Sequence, residues 1–181
     1  LLEDRFRPEY EAAREVHLFL SHYHLDHIAG LVYLPAMFKD RTVHLHTPAA
    51  QITGEDPREI IGNIIRKPYN PQALDDLPLD LIIEPLAEGE HYIGGASVQV
   101  RKQIHADPSV AFRVNDWLVF ATDTADDPGT ATFARGVRLL AHEAWIDGIE
   151  EQDPTIERLI EQGLMQAEAG WLYLSGEPDG P

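Results

Sequence analysis

The sequence predicts an α+β fold, and three observations carry that expectation. Short runs of branched and aromatic residues, bounded by turn residues, recur along the chain as strands. One stretch, Pro57 to Arg66, instead sets Ile60, Ile61, Ile64 and Ile65 at helical spacing. Residues capable of chemistry then gather just past the ends of strands, where loops on a rigid scaffold carry sites.

Leu1 to Arg14 mixes Leu, Phe and Tyr with Glu and Arg, and reads as a loop or short helix delivering the chain into a strand at Val16 to Leu20. Directly after it comes Ser21-His22-Tyr23-His24-Leu25-Asp26-His27. A strand exit is still extended, so His22 and His24 point the same way. Two imidazoles aimed at one point are half of a tetrahedral zinc site. Asp26 and His27 face elsewhere as the chain turns and can serve a second metal. A helix is expected from Ile28 to Phe38, with its N-terminal dipole favouring the nearby carboxylate.

Lys39-Asp40 makes a turn, and Thr42 to Thr47 alternates as a strand that Pro48 ends. His44 and His46 share one face of it. Without a carboxylate nearby in sequence, an exposed strand face is preferred there over a metal role. The isoleucines of the Pro57–Arg66 helix are core. Lys67 to Pro78 is a polar, proline-rich loop in which Tyr69 is either a pocket residue or a surface turn. Leu81 to Leu86 is a further strand, and Gly89-Glu90 and Gly94-Gly95 mark turns around a hairpin-like stretch.

Two more strand exits follow. Ser97 to Gln103 leaves at Ile104-His105-Ala106-Asp107, and Trp117 to Ala121 leaves at Thr122-Asp123-Thr124, with Val110 to Val114 and a turn at Asn115-Asp116 between them. Gly136 to Ala141 leads into His142-Glu143-Ala144-Trp145. A helix from about Pro154 to Ala169 and a strand from Trp171 to Ser175 complete the reading.

Composition narrows the chemistry. The 181 residues suit one domain. They include no cysteine, so disulfides and thiolate ligands are excluded and any metal must use His, Asp or Glu. No apolar run approaches the ~20 residues of a membrane span and no signal-peptide pattern opens the chain, so no membrane partner is expected and a cytoplasmic location is the default. Fourteen basic against 31 acidic residues give a formal charge of −17. Such a surface repels polyanions, which makes a long nucleic acid a poor substrate.

His22-x-His24-x-Asp26-His27 resembles the signature of the metallo-β-lactamase superfamily. That resemblance implies a four-layer αββα sandwich holding two metals and hydrolysing esters, thioesters, lactams or phosphodiesters. The iron-binding, oxygen-reducing branch of the family usually has glutamate where this chain has His24, so the likeness favours the hydrolytic, zinc-type side. His105 with Pro108 and Ala111-Phe112-Arg113-Val114, then Ala121-Thr122-Asp123-Thr124, is similar to the branch of ribonuclease Z and the cyclic phosphodiesterases.

By that resemblance His22, His24 and His105 hold a first metal, Asp26 and His27 a second, and Asp123 bridges them. Asp26 is also placed as general base, and His142-Glu143 supports proton transfer. The implied cofactor is Zn2+, one ion or two, with Mn2+ or Fe2+ as substitutes. The implied reaction is hydrolysis of a small phosphodiester by a metal-activated hydroxide. Ester, thioester or lactam hydrolysis on the same fold is the alternative, and a homodimer is left open. The pattern departs from the family in two ways. Only about twenty residues precede the motif, where the family places several strands, so one metallo-hydrolase domain over residues 1–181 is expected, incomplete at its N-terminus. No histidine follows His142, where the family expects another ligand for the second metal. A degenerate, non-catalytic metal-binding relative is therefore the third reading.

Overall fold

The computed structural model describes residues 12–143 together with Pro8, and the backbone of two later strands, Met165–Glu168 and Trp171–Leu174. By its internal contacts the chain divides into two compact units, Leu1–Ala87 and Glu88–Pro181.

The first unit is built on a three-stranded parallel sheet of β1 (Glu15–Phe19), β2 (Thr42–Pro48) and β3 (Asp80–Leu86), in that order. Parallel neighbours cannot be joined by a tight turn, so helical crossovers link them. The first crossover is a helical segment from Leu25 to Met37, and the second contains a helix at Pro57–Ile64. Successive side chains on β2 point to opposite faces. Val43 and Leu45 join Leu20, Ile28, Leu31, Leu34, Phe38, Ile61, Ile65 and Leu77 in one buried core, while His44 and His46 take the other face.

The helix expected over Ile28 to Phe38 is corrected in detail. It begins earlier and runs as an α-turn at Leu25–Ile28, a 3-10 segment at Ala29–Tyr33 and a second α-turn at Leu34–Met37. Pro35 lies in the first turn of that last piece. Proline has no N–H to continue the ladder from preceding carbonyls, so the helix must restart there. The Pro57 helix stops at Ile64 rather than Arg66 and is capped by Asp56, whose carboxylate accepts from the N–H groups of Arg58 and Glu59. Of its isoleucines, Ile61 and Ile65 are fully buried and Ile64 packs beside them.

The second unit contains a five-stranded sheet in the order of its sequence: β4 (Gly89–Ile93), β5 (Ala96–Gln103), β6 (Ser109–Val114), β7 (Leu118–Ala121) and β8 (Leu139–His142). All pairs are antiparallel except β7–β8, which is parallel. That last link needs a crossover, supplied by a short helix at Pro128–Phe133. Around it Ala134 and Val137 pack with Ala111, Val119 and Ala121. Gly89-Glu90 is not a turn but the start of β4, whose hairpin with β5 closes at Gly94-Gly95.

A further correction concerns the expected Pro154–Ala169 helix. Met165–Glu168 is a strand (β9) paired antiparallel with Trp171–Leu174 (β10), and residues 154–164 and Ala169 lie outside the described residues. Helix-favouring Met, Gln, Ala and Glu are overridden there by cross-strand pairing with a Trp-Leu-Tyr-Leu partner, a sequence well suited to a strand. Among the described residues no helix is long and apolar enough to cross a membrane.

Candidate metal centre

In the first unit, β1 ends and the chain passes through Leu20 and Ser21, both buried, before the histidines begin. The Leu20 N–H bonds to the His46 carbonyl at 2.9 Å, which fixes the direction of the exit. His22 is 0% exposed. Its Nδ1 lies 3.0 Å from Ser21 Oγ, so any metal this ring held would be met by Nε2. The rings of His24 and His27 lie 4.5 and 4.2 Å from the His22 ring, edge-on and tilted respectively. Two imidazoles from the same turn of chain thus lie against the buried His22 ring.

The helical turn at Leu25–Ile28 makes this packing. It starts at His24, whose carbonyl accepts from the His27 and Ile28 N–H groups, so His27 returns over His22. Asp26 points outward, 78% exposed in its side chain, with Oδ2 3.4 Å from His27 Nε2. Tyr23 turns away from the cluster and donates its hydroxyl to the Pro48 carbonyl at 2.7 Å. This donor set, imidazole nitrogens with a carboxylate beside them, fits a divalent transition metal and has no thiolate to favour a softer one.

In the second unit the exits of β5 and β7 carry His105 and Asp123, both half-buried. The two exits are latched together. Gln103 Nε2 donates to the Thr122 carbonyl at 2.9 Å and to Ser109 Oγ at 3.1 Å. The Ile104 carbonyl accepts from the Ala125 N–H at 2.5 Å and from Thr124 Oγ1. Asp123 adopts φ 55, the left-handed region that aspartate tolerates better than most residues.

Glu143 Oε1 accepts from the Thr124 N–H, so this carboxylate braces the loop that presents Asp123. His142 is held by its place on β8, opposite Ala121. Its Nδ1–H donates to the Glu143 carbonyl, since a carbonyl only accepts. Ser21, Gln103 and Thr124 were not singled out from sequence. Each is an ordinary polar residue whose only local signal is its place beside a ligand-type side chain.

The sequence matches the metallo-beta-lactamase superfamily over residues 4–158. The chain belongs to that superfamily, and its α+β fold is of that type. Among solved structures it resembles a diphosphatase of the PhnP family, with a TM-score of 0.59 at 15% identity over 87% of this chain and 60% of that one. It also resembles YhfI, a metallo-beta-lactamase fold protein of Bacillus subtilis, with a TM-score of 0.48 at 19% identity over 68% of this chain and 47% of that one. The chain therefore spans less than two thirds of the length of either structure. No curated protein matches it in sequence.

Proposed function

We propose that this chain is a metal-dependent hydrolase, with zinc the first choice of metal and a small or cyclic phosphodiester as substrate. The observation that carries the reading is the buried His22 imidazole, oriented by Ser21 and flanked at 4.5 and 4.2 Å by the rings of His24 and His27. Nothing in a solvated loop would bury one imidazole against two others in this way, whereas bound cations would repay the cost of ordering them.

His22, His24 and His105 would hold one metal, Asp26 and His27 a second, with Asp123 between them. When bound, such an ion pair polarises the scissile group and brings the pKa of water down toward ~7. The chain's own residues do the rest. Asp26, with its exposed carboxylate, accepts the proton of the attacking water. Glu143 holds the Thr124 N–H and so fixes the loop that aims Asp123. His142, with Nδ1–H engaged, offers Nε2 as a position that takes up and returns a proton. Membership of the superfamily supports hydrolysis, and the fold likeness to a PhnP-family diphosphatase keeps phosphorus substrates ahead of esters, thioesters and lactams. The acidic surface favours a small substrate over a long nucleic acid, and a cytoplasmic setting fits that choice.

The second reading is a metal-binding relative of the same fold without turnover. One experiment separates the two. Untagged protein is loaded with zinc or manganese, its metal content is measured, and bis(p-nitrophenyl) phosphate, p-nitrophenyl acetate and a thioester are offered over long incubations. Turnover of the phosphodiester well above the other two is expected. Bound metal without turnover of any substrate supports the second reading, and less than one metal per chain with no turnover overturns the hydrolase.

A further inference from the structure

Across the sheet of the first unit lies a second group of metal-ligating side chains that the proposed hydrolytic site does not use. His17 on β1 and His44 on β2 are directly opposed in the parallel ladder, as are His46 on β2 and Glu84 on β3. Opposed residues share a face, so three imidazoles and one carboxylate from three adjacent strands meet on the side of the sheet away from its apolar core. In sequence His44 and His46 have no carboxylate near them. The fold supplies one in Glu84, 40 residues beyond His44, together with a third imidazole in His17.

We propose that His17, His44 and Glu84 form a second, structural site for a divalent transition metal, zinc in the first instance. One ligating atom from each of the three lies within 4.8 Å of the others. His44 Nδ1 and Glu84 Oε2 are 3.2 Å apart, close to the ~3.4 Å that separates two ligands on a tetrahedral ion with bonds of ~2.1 Å. The His17 and His44 rings stack at 4.7 Å with an interplanar angle of 25°. A modest closure brings all three onto one ion, and water completes the coordination.

His46 orients the set from behind. It is 1% exposed, its Nε2 is 2.9 Å from His17 Nδ1, and its Nδ1 is 3.3 Å from Glu84 Oε2. The contact to His17 Nδ1 leaves ligation by that residue to Nε2, and the contact to Glu84 steadies the carboxylate. A ligand held in place by a second imidazole and a shared carboxylate is the pattern of a supported metal site. An ion here would tie all three strands of the sheet, including its two edges β1 and β3, by bonds that run across the ladder.

The site is independent of the hydrolytic reading, and the test keeps the two apart. His22→Ala/His27→Ala, made in the untagged full chain, takes at least one imidazole from each of the two proposed hydrolytic metals. Zinc binding to that variant is measured by equilibrium dialysis and elemental analysis, and cobalt(II) substitution gives a visible spectrum that reports the ligand field. One zinc per chain is expected to remain. Adding Glu84→Gln, which keeps the shape of a half-exposed side chain, is expected to weaken that zinc at least tenfold and to change the cobalt spectrum. His44→Ala is expected to abolish both signals. Zinc should also raise the melting temperature of the His22→Ala/His27→Ala variant, and this shift should vanish with Glu84→Gln. Absence of zinc from the double variant overturns the proposal, as does zinc binding unchanged by Glu84→Gln. If His44→Ala does not fold, the Glu84→Gln comparison alone decides.

Discussion

Tyr23 sits between His22 and His24 in sequence but serves the fold. Burial pushes its phenol up to about 12, and the nearby negative charge of Asp56 acts in the same direction. A folded-state pKa above the unfolded value of ~10 means that the neutral phenol stabilises the native state fully below pH ~10. That stabilisation is lost as pH rises through about 12. Tyr23→Phe should lose about 1 kcal/mol at neutral pH with the bond to the Pro48 carbonyl. It should also show a shallower loss of stability between pH 10 and pH 12. Urea unfolding of both proteins across that range checks this, and identical alkaline slopes would refute it. Asp123 makes a second prediction. Asp123→Ala should lower phosphodiester turnover on the order of a hundredfold or more, the upper range for disturbing a metal centre. Asp123→Asn keeps a residue suited to the left-handed backbone and isolates the loss of charge. Most activity retained by Asp123→Ala would remove that residue from the site. His22, His24 and His27 were legible because their spacing is local: extended chain, then one helical turn. The bracing role of Glu143 was not, because Thr124 lies 19 residues away and meets it only through the parallel pairing of β7 with β8.

Among the elements, the helix at Pro128–Phe133 shows how a short segment is held. It has only six residues, too few to persist by itself. Asp127, 4% exposed, accepts at its N-terminus from the Gly129 N–H at 2.9 Å and pairs with the Arg101 guanidinium at 2.8 Å. Gly129 leaves room for that pair, since a Cβ there would meet the Arg101 guanidinium and make it shift. Asp127→Ala should therefore cost about 2–4 kcal/mol, combining a lost cap with a cation left partly buried. Chemical denaturation measures it, and a change below ~0.5 kcal/mol, the level of an ordinary surface substitution, would contradict the account. Strands β1 to β3, β5 to β7 and β10 were legible from alternation and bounding turns, and their observed limits fall within a residue or two of expectation. Helical segments were less so. Pro35 was present in the sequence, but only the packed structure shows that the chain restarts its helix there instead of ending it. Met165–Glu168 carries residues that favour a helix, and the pairing that overrides them comes from a partner strand beyond Gly170.

At the scale of the whole molecule the dominant quantity is charge. Fourteen basic residues against 31 acidic ones leave −17 with histidine neutral, and two divalent ions in the proposed hydrolytic site would offset only a small part of it. A protein that grips RNA through lysine and arginine loses affinity steeply as salt rises, because condensed counterions are released on binding. Here the long-range term has the opposite sign, and salt screens a repulsion over a Debye length of ~10 Å at 0.1 M. Binding of a fluorescently labelled long RNA, followed by anisotropy, should thus be weak at roughly 50 mM salt and should hold level or strengthen toward roughly 500 mM. Hydrolysis of bis(p-nitrophenyl) phosphate, a monoanion that feels far less of the field, should vary little over the same range. RNA affinity that instead falls steeply with salt would reveal a basic footprint strong enough to override the net charge. It would move the proposed substrate from a small phosphodiester to a polynucleotide, with the proposed metal-ligating residues unchanged.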